Sequence, residues 1–256
     1  MEKPLVSVVI PAYKAGATIK KAIDSALAQK VKLEILVIDD SPEEDLSEVL
    51  RQYPEGIVAH VKNPENQGAA RSRNRGVSLA RGEYVAFLDA DDYWGEGKLS
   101  AQLKAMEQTG AVLCCTAREL ITPEGKSTGR VIPVKEKITY RELLKHNSIN
   151  CSSVLLKTEA ARRFPMGHED SHEDYIMWLE ILKAYGWCCG INEPYLKYRL
   201  STTGKSGNKL KSARMTFRAY RYVGFTPLQA SALFCSYALH GVWKYAAAFL
   251  GEAHET

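Results

Sequence analysis

The sequence lacks any cysteine spacing that is typical of a metal or redox site. Its six cysteines include two adjacent pairs, Cys114-Cys115 and Cys188-Cys189, and no Cys-x-x-Cys motif. Most of them lie in apolar stretches, which predicts buried free thiols in a reducing compartment. A chain of 256 residues can also bury a substantial core without disulfides. The cysteines therefore indicate neither a zinc knuckle nor a secreted disulfide scaffold.

Long uninterrupted apolar runs and internal repeats are also missing. Residues 227–251 are rich in apolar side chains, but Gln229, His240 and Lys244 interrupt them, so we do not expect a membrane-spanning helix. Met1 to Pro4 leads directly into an apolar segment, which predicts a chain without a cleavable leader. The composition, 45% hydrophobic and 25% charged, is ordinary for a globular protein. We therefore expect a cytoplasmic protein.

The net charge is only +4, but one segment concentrates the positive charge. Between residues 199 and 222 there are no acidic residues and seven basic ones: Arg199, Lys205, Lys209, Lys211, Arg214, Arg218 and Arg221. Aromatic and phosphate-reading motifs of nucleic-acid-binding proteins are absent, so nucleic acid is not an expected partner. Cations ahead of an amphipathic, aromatic-rich segment favour contact with an anionic membrane surface through residues 205–251. A helix pair packed on the rest of the protein, with its basic face in solvent, is the alternative.

What the sequence contains instead is a repeated alternation of short apolar strands and helices. Apolar runs at residues 5–10, 35–38, 57–61 and 84–88 predict buried strands, and the segments between them have helical spacing. This alternation predicts an α/β fold with a mainly parallel central sheet flanked by helices. In such sheets, ligands bind at the carboxyl ends of the strands.

Polar residues follow three of these predicted strands. Pro11 and Tyr13 follow the first strand, and Asp39 and Asp40 follow the second. The fourth strand ends in three carboxylates within four residues: Asp89, Asp91 and Asp92. Because like charges this close repel, the carboxylates suggest a cationic partner such as a divalent metal ion. An acidic turn that caps the next helix is the alternative for this motif alone.

Six motifs follow one another along the chain: Ser7 to Tyr13, Val37 to Ser41, Asn66-x-Gly68 with Arg73-Asn74-x-Gly76, Gly82-Glu83-Tyr84 with Asp89-x-Asp91-Asp92, Glu173-Asp174-Tyr175-x2-Trp178, and Tyr198-Arg199. In this order they resemble the family 2 glycosyltransferases of the GT-A fold, over residues 5–206. Lys14 and Ser72 stand where the family usually has Asn and Ala. The resemblance implies a Rossmann-like nucleotide-binding half over residues 1–110, an acceptor half over 111–206 and a helical extension over 207–256.

The resemblance implies transfer of a sugar, with inversion, from a nucleotide diphosphate sugar to an acceptor hydroxyl. Uridine is the expected base, and Mn²⁺ or Mg²⁺ is the expected cofactor. Pro11, Tyr13 and Asp40 are expected to contact the base. Asp89 is expected to face the ribose or the metal, and Asp91 is expected to bind the metal directly.

Arg73, Asp92 and Asp174 complete the expected site. Arg73 is expected to support the site or to contact phosphate, and a surface position on its helix is the alternative. Asp92 is expected to be structural. Asp174 is the expected general base, which takes the proton of the acceptor hydroxyl.

Glu169-Asp170 repeats the Glu-Asp dipeptide four residues earlier, but only Glu173-Asp174 leads into the aromatic-rich helix of the motif. An acidic helix start favoured by the helix dipole is the alternative for both pairs. His168 and His172 are expected to be polar loop residues near the acceptor opening rather than zinc ligands.

The resemblance extends to family members that build lipid-linked oligosaccharides for bacterial surface polysaccharides. It implies a glycan or lipid-linked oligosaccharide acceptor and a peripheral position on the cytoplasmic face of a bacterial inner membrane. Three other classes of protein are alternatives to a glycosyltransferase. A phosphatase with an Asp-x-Asp nucleophile does not fit Asp92-Tyr93 after the second aspartate, and a nucleotidyltransferase would carry a glycine-rich loop where Pro11 to Lys14 stand. A non-catalytic sugar- or membrane-binding protein is hard to reconcile with the intact acids.

Overall fold

A computed structural model describes residues 3–200 and 209–238. In this part of the chain, ten strands form a single sheet. They are β1 (Val6–Ala12), β2 (Leu33–Asp39), β3 (Val58–Lys62), β4 (Tyr84–Phe87), β5 (Tyr93–Trp94), β6 (Leu113–Ile121), β7 (Ser127–Ile132), β8 (Lys137–Thr139), β9 (Leu155–Lys157) and β10 (Trp187–Arg199). Their order is β3-β2-β1-β4-β9-β6-β10-β5, with β7 beside β6 and β8 beside β10.

Between the described strands lie seven helices and a 3-10 turn, and a further helix follows β10. They are α1 (Ile19–Leu27), α2 (Ser47–Leu50), α3 (Ala69–Leu79), α4 (Lys98–Thr109), α5 (Tyr140–Lys145), the turn Cys151–Ser153, α6 (Thr158–Arg163), α7 (Glu173–Tyr185) and α8 (Lys209–Tyr222). Residues 227–238 are helical as well.

Both faces of the sheet are covered, because successive side chains of the central strands enter two different cores. On β1, Val8 and Ile10 pack into the core that contains α1 and α4, and Val9 packs into the core that contains α3 and α7. This explains why the central strands are continuous apolar runs rather than alternating ones.

The pairing predicted for the first half of the chain is confirmed. β1 is parallel to both β2 and β4, and β2 is parallel to β3. The second half is mixed: β6 and β10 are parallel, whereas β9 is antiparallel to both β4 and β6. The carboxyl ends of β1, β2 and β4 therefore meet at one edge of the sheet, as the strand-end residues require.

The described part of the extension packs onto the sheet domain. Ala219 and Tyr220 of α8, together with Ala230, are fully buried in the same core as α7. The hydroxyl of Tyr220 donates to the Leu144 carbonyl at 2.6 Å, and its ring meets Tyr175 edge-on. The packed-helix alternative therefore describes residues 209–238. The boundary predicted near residue 206, and residues 239–251 of the predicted membrane segment, lie outside the described residues.

Within the described residues, none of the helices has both the length and the apolar character needed to span a bilayer. The predicted burial of the cysteine thiols is confirmed for five of the six, and Cys235 is exposed.

Candidate active site

A cleft of about 590 Å³ opens at the carboxyl edge of β1, β2 and β4. All the predicted donor and metal residues line it: Pro11, Tyr13, Asp40, Arg73, Asp89 and Asp91. The Tyr13 ring is half exposed, with 50% of the residue accessible to solvent. A flat aromatic surface of this kind is available for stacking. Three strand ends that are far apart in sequence thus contribute to one site, as the parallel topology predicts.

Asp40 organises the loop that forms one wall of the cleft. Its buried carboxylate accepts hydrogen bonds from the backbone N–H of Gln67 at 2.9 Å and of Gly68 at 2.8 Å, and from the Asn63 side chain at 2.6 Å. Gly68 has φ of +84°, which a residue with a side chain rarely adopts. The Asn66-x-Gly68 motif is therefore explained by backbone conformation and by its attachment to Asp40.

The Arg73-Asn74-x-Gly76 motif on α3 holds three parts of the protein together. Asn74 bonds both backbone groups of Met166, at 2.6 and 2.9 Å, and so fixes the segment that leads to the acidic helix start. Gly76 lies against β1, where an added Cβ would come within 2.3 Å of Val9. Because only glycine permits this approach, α3 sits close enough for Arg73 to reach the cleft.

Arg73 is buried rather than on the surface, with only 6% of the residue exposed. Its guanidinium forms an ion pair with Asp89 at 2.6 Å and lies 3.6 Å from the Glu173 carboxylate. Burial alone would lower the pKa of Arg73, but nearby acidic groups, including Asp89 and Glu173, hold it well above its usual value. Arg73 thus joins the Asp-x-Asp loop to the start of α7, which favours its supporting role.

The three carboxylates of the Asp-x-Asp loop have different surroundings. Asp91 faces the cleft, and burial together with the charge of Asp89 raises its pKa. Asp92 is almost fully buried, and its Oδ1 accepts the backbone N–H of Arg199 at 2.8 Å. The Arg199 side chain donates to the Asp91 carbonyl at 2.7 Å. Asp92 thus links the loop to the end of β10, consistent with the structural role expected for it.

The two acidic residues at the start of α7 differ in burial. Glu173 is buried and lines the cleft, whereas Asp174 is partly exposed beside it. Burial and the neighbouring charge of Glu173 raise the pKa of Asp174, against the lowering effects of Arg73 and His172. Burial raises the pKa of the Cys151 thiol, and the charges of Asp89, Asp174 and Glu173 add to this effect.

The earlier pair, Glu169-Asp170, lies on the surface. Asp170 is bound by Arg218 at 3.1 Å and by the Tyr222 hydroxyl at 2.9 Å, both on α8. Glu169 lies 3.7 Å from the exposed Arg71. His172 is within hydrogen-bond distance of the Ser212 carbonyl and hydroxyl, at 3.2 Å each, and His168 stacks on Tyr222. Both histidines therefore contact the extension.

Two residues in or beside the cleft, Glu173 and Ser152, were not among the predicted site residues. Glu173 was singled out only as the companion of Asp174, yet it is the member of the pair on the cleft wall. Ser152 accepts the Asp89 backbone N–H at 3.1 Å and so helps to hold the Asp-x-Asp loop in place. No local motif marks Ser152, because its role arises only when its turn meets β4.

Comparison with known proteins agrees with this geometry. The model of Glycosyl transferase family 2 matches residues 7–163. TuaG of Bacillus subtilis, a glycosyltransferase named for teichuronic acid biosynthesis, is 33% identical over 94% of this chain and 98% of its own length. WfaP of Escherichia coli, named as a UDP-Glc:alpha-D-GlcNAc-diphosphoundecaprenol beta-1,3-glucosyltransferase, is 32% identical over 94% of this chain and 95% of its own length.

Solved structures support the same fold. S. aureus TarS (residues 1–349), crystallised with UDP-GlcNAc, aligns with a TM-score of 0.70 at 15% identity, over 91% of this chain and 71% of that one. PcManGT, a mannosyltransferase from Pyrobaculum calidifontis in complex with GDP-Man and Mn²⁺, aligns with a TM-score of 0.67 at 19% identity, over 99% and 80%. The fold is GT-A, and the nucleotidyltransferase alternative is not supported. This chain belongs to glycosyl transferase family 2.

Proposed function

We propose that this glycosyltransferase moves a sugar, with inversion and with the help of a divalent metal ion, from a UDP-sugar to a hydroxyl of a glycan or lipid-linked oligosaccharide. One observation carries the proposal: Tyr13, Asp40, Asp89, Asp91 and Glu173, from four separate segments, line a single cleft. The names of similar proteins support the substrate classes, because WfaP is named for a UDP-Glc donor and a diphosphoundecaprenol-linked acceptor.

On the donor side, the Tyr13 ring would stack on the base. Asp40 has both carboxylate oxygens engaged by its own loop, although each oxygen can accept more than one hydrogen bond. Asp40 would accept from a base N–H while it holds Gly68 in place. Pro11 would form the floor beside them at the end of β1.

The residues at the Asp-x-Asp loop fit a divalent metal ion. Asp89 and Asp91 supply carboxylate oxygens, the ligands that Mn²⁺ and Mg²⁺ accept, and the repulsion that raises the pKa of Asp91 would be relieved by a bound cation. The described residues contain no group of three or more His, Cys, Asp or Glu that could hold a metal alone. The diphosphate would therefore complete the ligand set. A bound metal ion would neutralise the charge that develops on the leaving diphosphate.

On the acceptor side, Asp174 would take the proton of the attacking hydroxyl. A raised pKa suits this role, because a carboxylate with a higher pKa is a stronger base. Arg73 would stay bound to Asp89 and near Glu173. It would therefore hold the Asp-x-Asp loop and the start of α7, which carries Asp174, at a fixed separation.

The proposal is tested by screening nucleotides for thermal stabilisation with Mn²⁺, and then screening nucleotide sugars for hydrolysis and transfer. UDP should stabilise the protein more than GDP, and Asp91→Ala should abolish metal-dependent turnover. Full activity of Asp91→Ala would remove the metal assignment. The absence of turnover with every nucleotide sugar, in the presence of lipid-linked acceptors, would refute the proposed reaction.

We also propose that the protein associates with a membrane surface. On the cytoplasmic face of the membrane it would reach a lipid-linked acceptor. At least three of the seven cations have other contacts: Arg199 binds the Asp91 carbonyl, Arg218 binds Asp170, and Arg221 donates to the Phe225 carbonyl. Lys205, Lys209, Arg214 and the segment 239–251 are candidates to test. Deletion of residues 239–256 should reduce co-sedimentation with anionic vesicles and leave the interaction with neutral vesicles unchanged. Equal sedimentation by the shortened chain would refute membrane binding through that segment.

A further inference from the structure

A second cavity, of about 400 Å³, lies between the β6–β7 hairpin and α5 and is separate from the donor cleft. Cationic and potentially cationic side chains dominate its polar wall: Arg118, Lys135, Lys145 and His146. Glu142 is the acidic residue of the wall. The rest of the lining is mostly apolar.

Glu142 does not neutralise this wall, because both of its oxygens are already engaged. One oxygen accepts from Lys135 at 2.7 Å, and the other accepts from the Thr139 backbone N–H at 3.0 Å and hydroxyl at 2.9 Å. These bonds lower the pKa of Glu142 to about 2. Glu142 is therefore paired with Lys135 and does not offset the positive charges of Arg118 and Lys145.

Arg118 is a partly buried cation without a carboxylate partner among residues 3–200 and 209–238. Its guanidinium lies 5.8 Å from the centre of the Tyr198 ring, and burial lowers its pKa although the charge of Asp92 acts in the opposite direction. Lys145, in the last turn of α5, also makes no ion pair within the described residues. Removing a cation from water is costly unless an anion compensates. A partly buried guanidinium in such a wall is available to an anionic ligand.

The cavity adjoins the candidate active site on two sides. The Tyr198 ring lies beneath Arg118, and the next residue, Arg199, donates its backbone N–H to Asp92 of the Asp-x-Asp loop at 2.8 Å. On the opposite wall, α5 is joined to the start of α7, because the Leu143 carbonyl accepts from the hydroxyl of Tyr175 at 2.9 Å, and Tyr175 directly follows Asp174. A ligand in this cavity would therefore lie close to the proposed base.

We propose that this cavity binds a phosphate or diphosphate group of the acceptor through Arg118 and Lys145, and so presents the acceptor hydroxyl to Asp174. The proposal rests on the glycosyl transfer proposed above, because it assigns the acceptor side of that reaction. A guanidinium can bind two phosphate oxygens at once, and the second cation adds charge without requiring a fixed geometry. Acceptors whose sugar is attached through a diphosphate would be selected over neutral glycosides.

The test is a binding measurement that needs no donor. Decyl diphosphate, inorganic pyrophosphate and the neutral amphiphile decyl glucoside are titrated calorimetrically into the wild-type chain and into Arg118→Gln and Lys145→Gln. Arg130→Gln on β7 and Arg141→Gln on α5 are the matched controls, because both arginines are exposed and outside the cavity wall. Lys145 is exposed as well, so its variant tests the charge without a folding defect.

Decyl diphosphate should bind the wild-type chain and the controls equally, and about tenfold or more weakly in each test variant. Arg118→Lys should recover part of the loss. Equal affinity in Arg118→Gln and wild type, or no wild-type binding, would overturn the assignment. Arg118-dependent binding of pyrophosphate that is as tight as that of decyl diphosphate would assign the cavity to a free anion instead. Failure of the donor screen would refute the transfer reaction without altering these binding results, so the two failures are distinguishable.

Discussion

The imidazole ring of His168 stacks on the ring of Tyr222, with centroids 3.6 Å apart and 12° between the planes. Nearby, Ser171 donates to the Met215 carbonyl at 2.7 Å, and Arg218 binds Asp170. Each contact joins α8 to the loop immediately before the acidic start of α7. The extension therefore holds the segment from which Glu173 and Asp174 project.

Tyr222→Ala should release this loop. We expect amide exchange in residues 168–172 to become about two- to tenfold faster, because the aromatic contact and the bond to Asp170 are both lost. The transfer rate should fall as Asp174 becomes less well positioned. Tyr222→Phe, which keeps the ring and loses only the hydroxyl, should behave more like the wild type. Unchanged exchange in Tyr222→Ala would show that the loop is held by its other contacts.

Asp174→Asn should bind the donor nucleotide as tightly as the wild type and lose turnover by about 10²- to 10⁴-fold, the usual contribution of a general base. Asp170→Asn is the matched control and should lose much less turnover, because Asp170 lies outside the cleft and an asparagine can still accept the hydrogen bonds from Arg218 and Tyr222. Single-turnover rates with saturating donor would make this comparison. Normal turnover in Asp174→Asn and loss in Glu173→Gln would transfer the role to Glu173, the residue on the cleft wall.

The same assignment predicts a pH dependence. A base acts only when it is deprotonated, and the pKa of Asp174 is raised. The transfer rate should therefore fall as the pH is lowered, starting at a higher pH than for an ordinary aspartate. The rate–pH profile of Asp174→Glu should keep an acidic limb, and that of Asp174→Asn should lose it. An identical acidic limb in Asp174→Asn would assign it to another group.

The sequence indicated those parts of the site that depend on local pattern. Apolar runs followed by polar residues located the strand ends, and parallel topology placed Tyr13, Asp40 and Asp91 at one edge. Contacts between distant segments were not accessible in this way. Nothing local shows that Asn74 bonds Met166 or that Arg73 approaches Glu173, because these pairs are separated by 92 and 100 residues. The amphipathic pattern of the extension likewise could not distinguish packing on α7 from contact with a lipid surface.

Arg73→Ala should be strongly destabilising, because Asp89 and Glu173 would lose their shared buried cation. Removing one partner of a buried ion pair typically costs about 3–5 kcal/mol. Arg73→Lys should recover only part of this, since an ammonium group cannot place two separate nitrogen donors toward the two acids. Arg71→Ala on the same helix is the control, and its exposed pair with Glu169 should contribute less than about 1 kcal/mol. Urea unfolding would measure all three, and equal losses at positions 71 and 73 would contradict the supporting role.

Lys98 should make the stability depend on pH. Its ammonium group is fully buried, 2.7 Å from the Gln102 side-chain oxygen and 4.1 Å from the centre of the Trp94 ring, and burial lowers its pKa to about 7. In the unfolded chain a lysine keeps its proton up to about pH 10.4. Between these two values only the unfolded state carries the proton, so the free energy of unfolding should rise with pH, by at most about 1.4 kcal/mol per unit. Lys98→Met should flatten this slope in urea unfolding measured from pH 7 to 10, and Lys104→Met, on the same helix, should keep it.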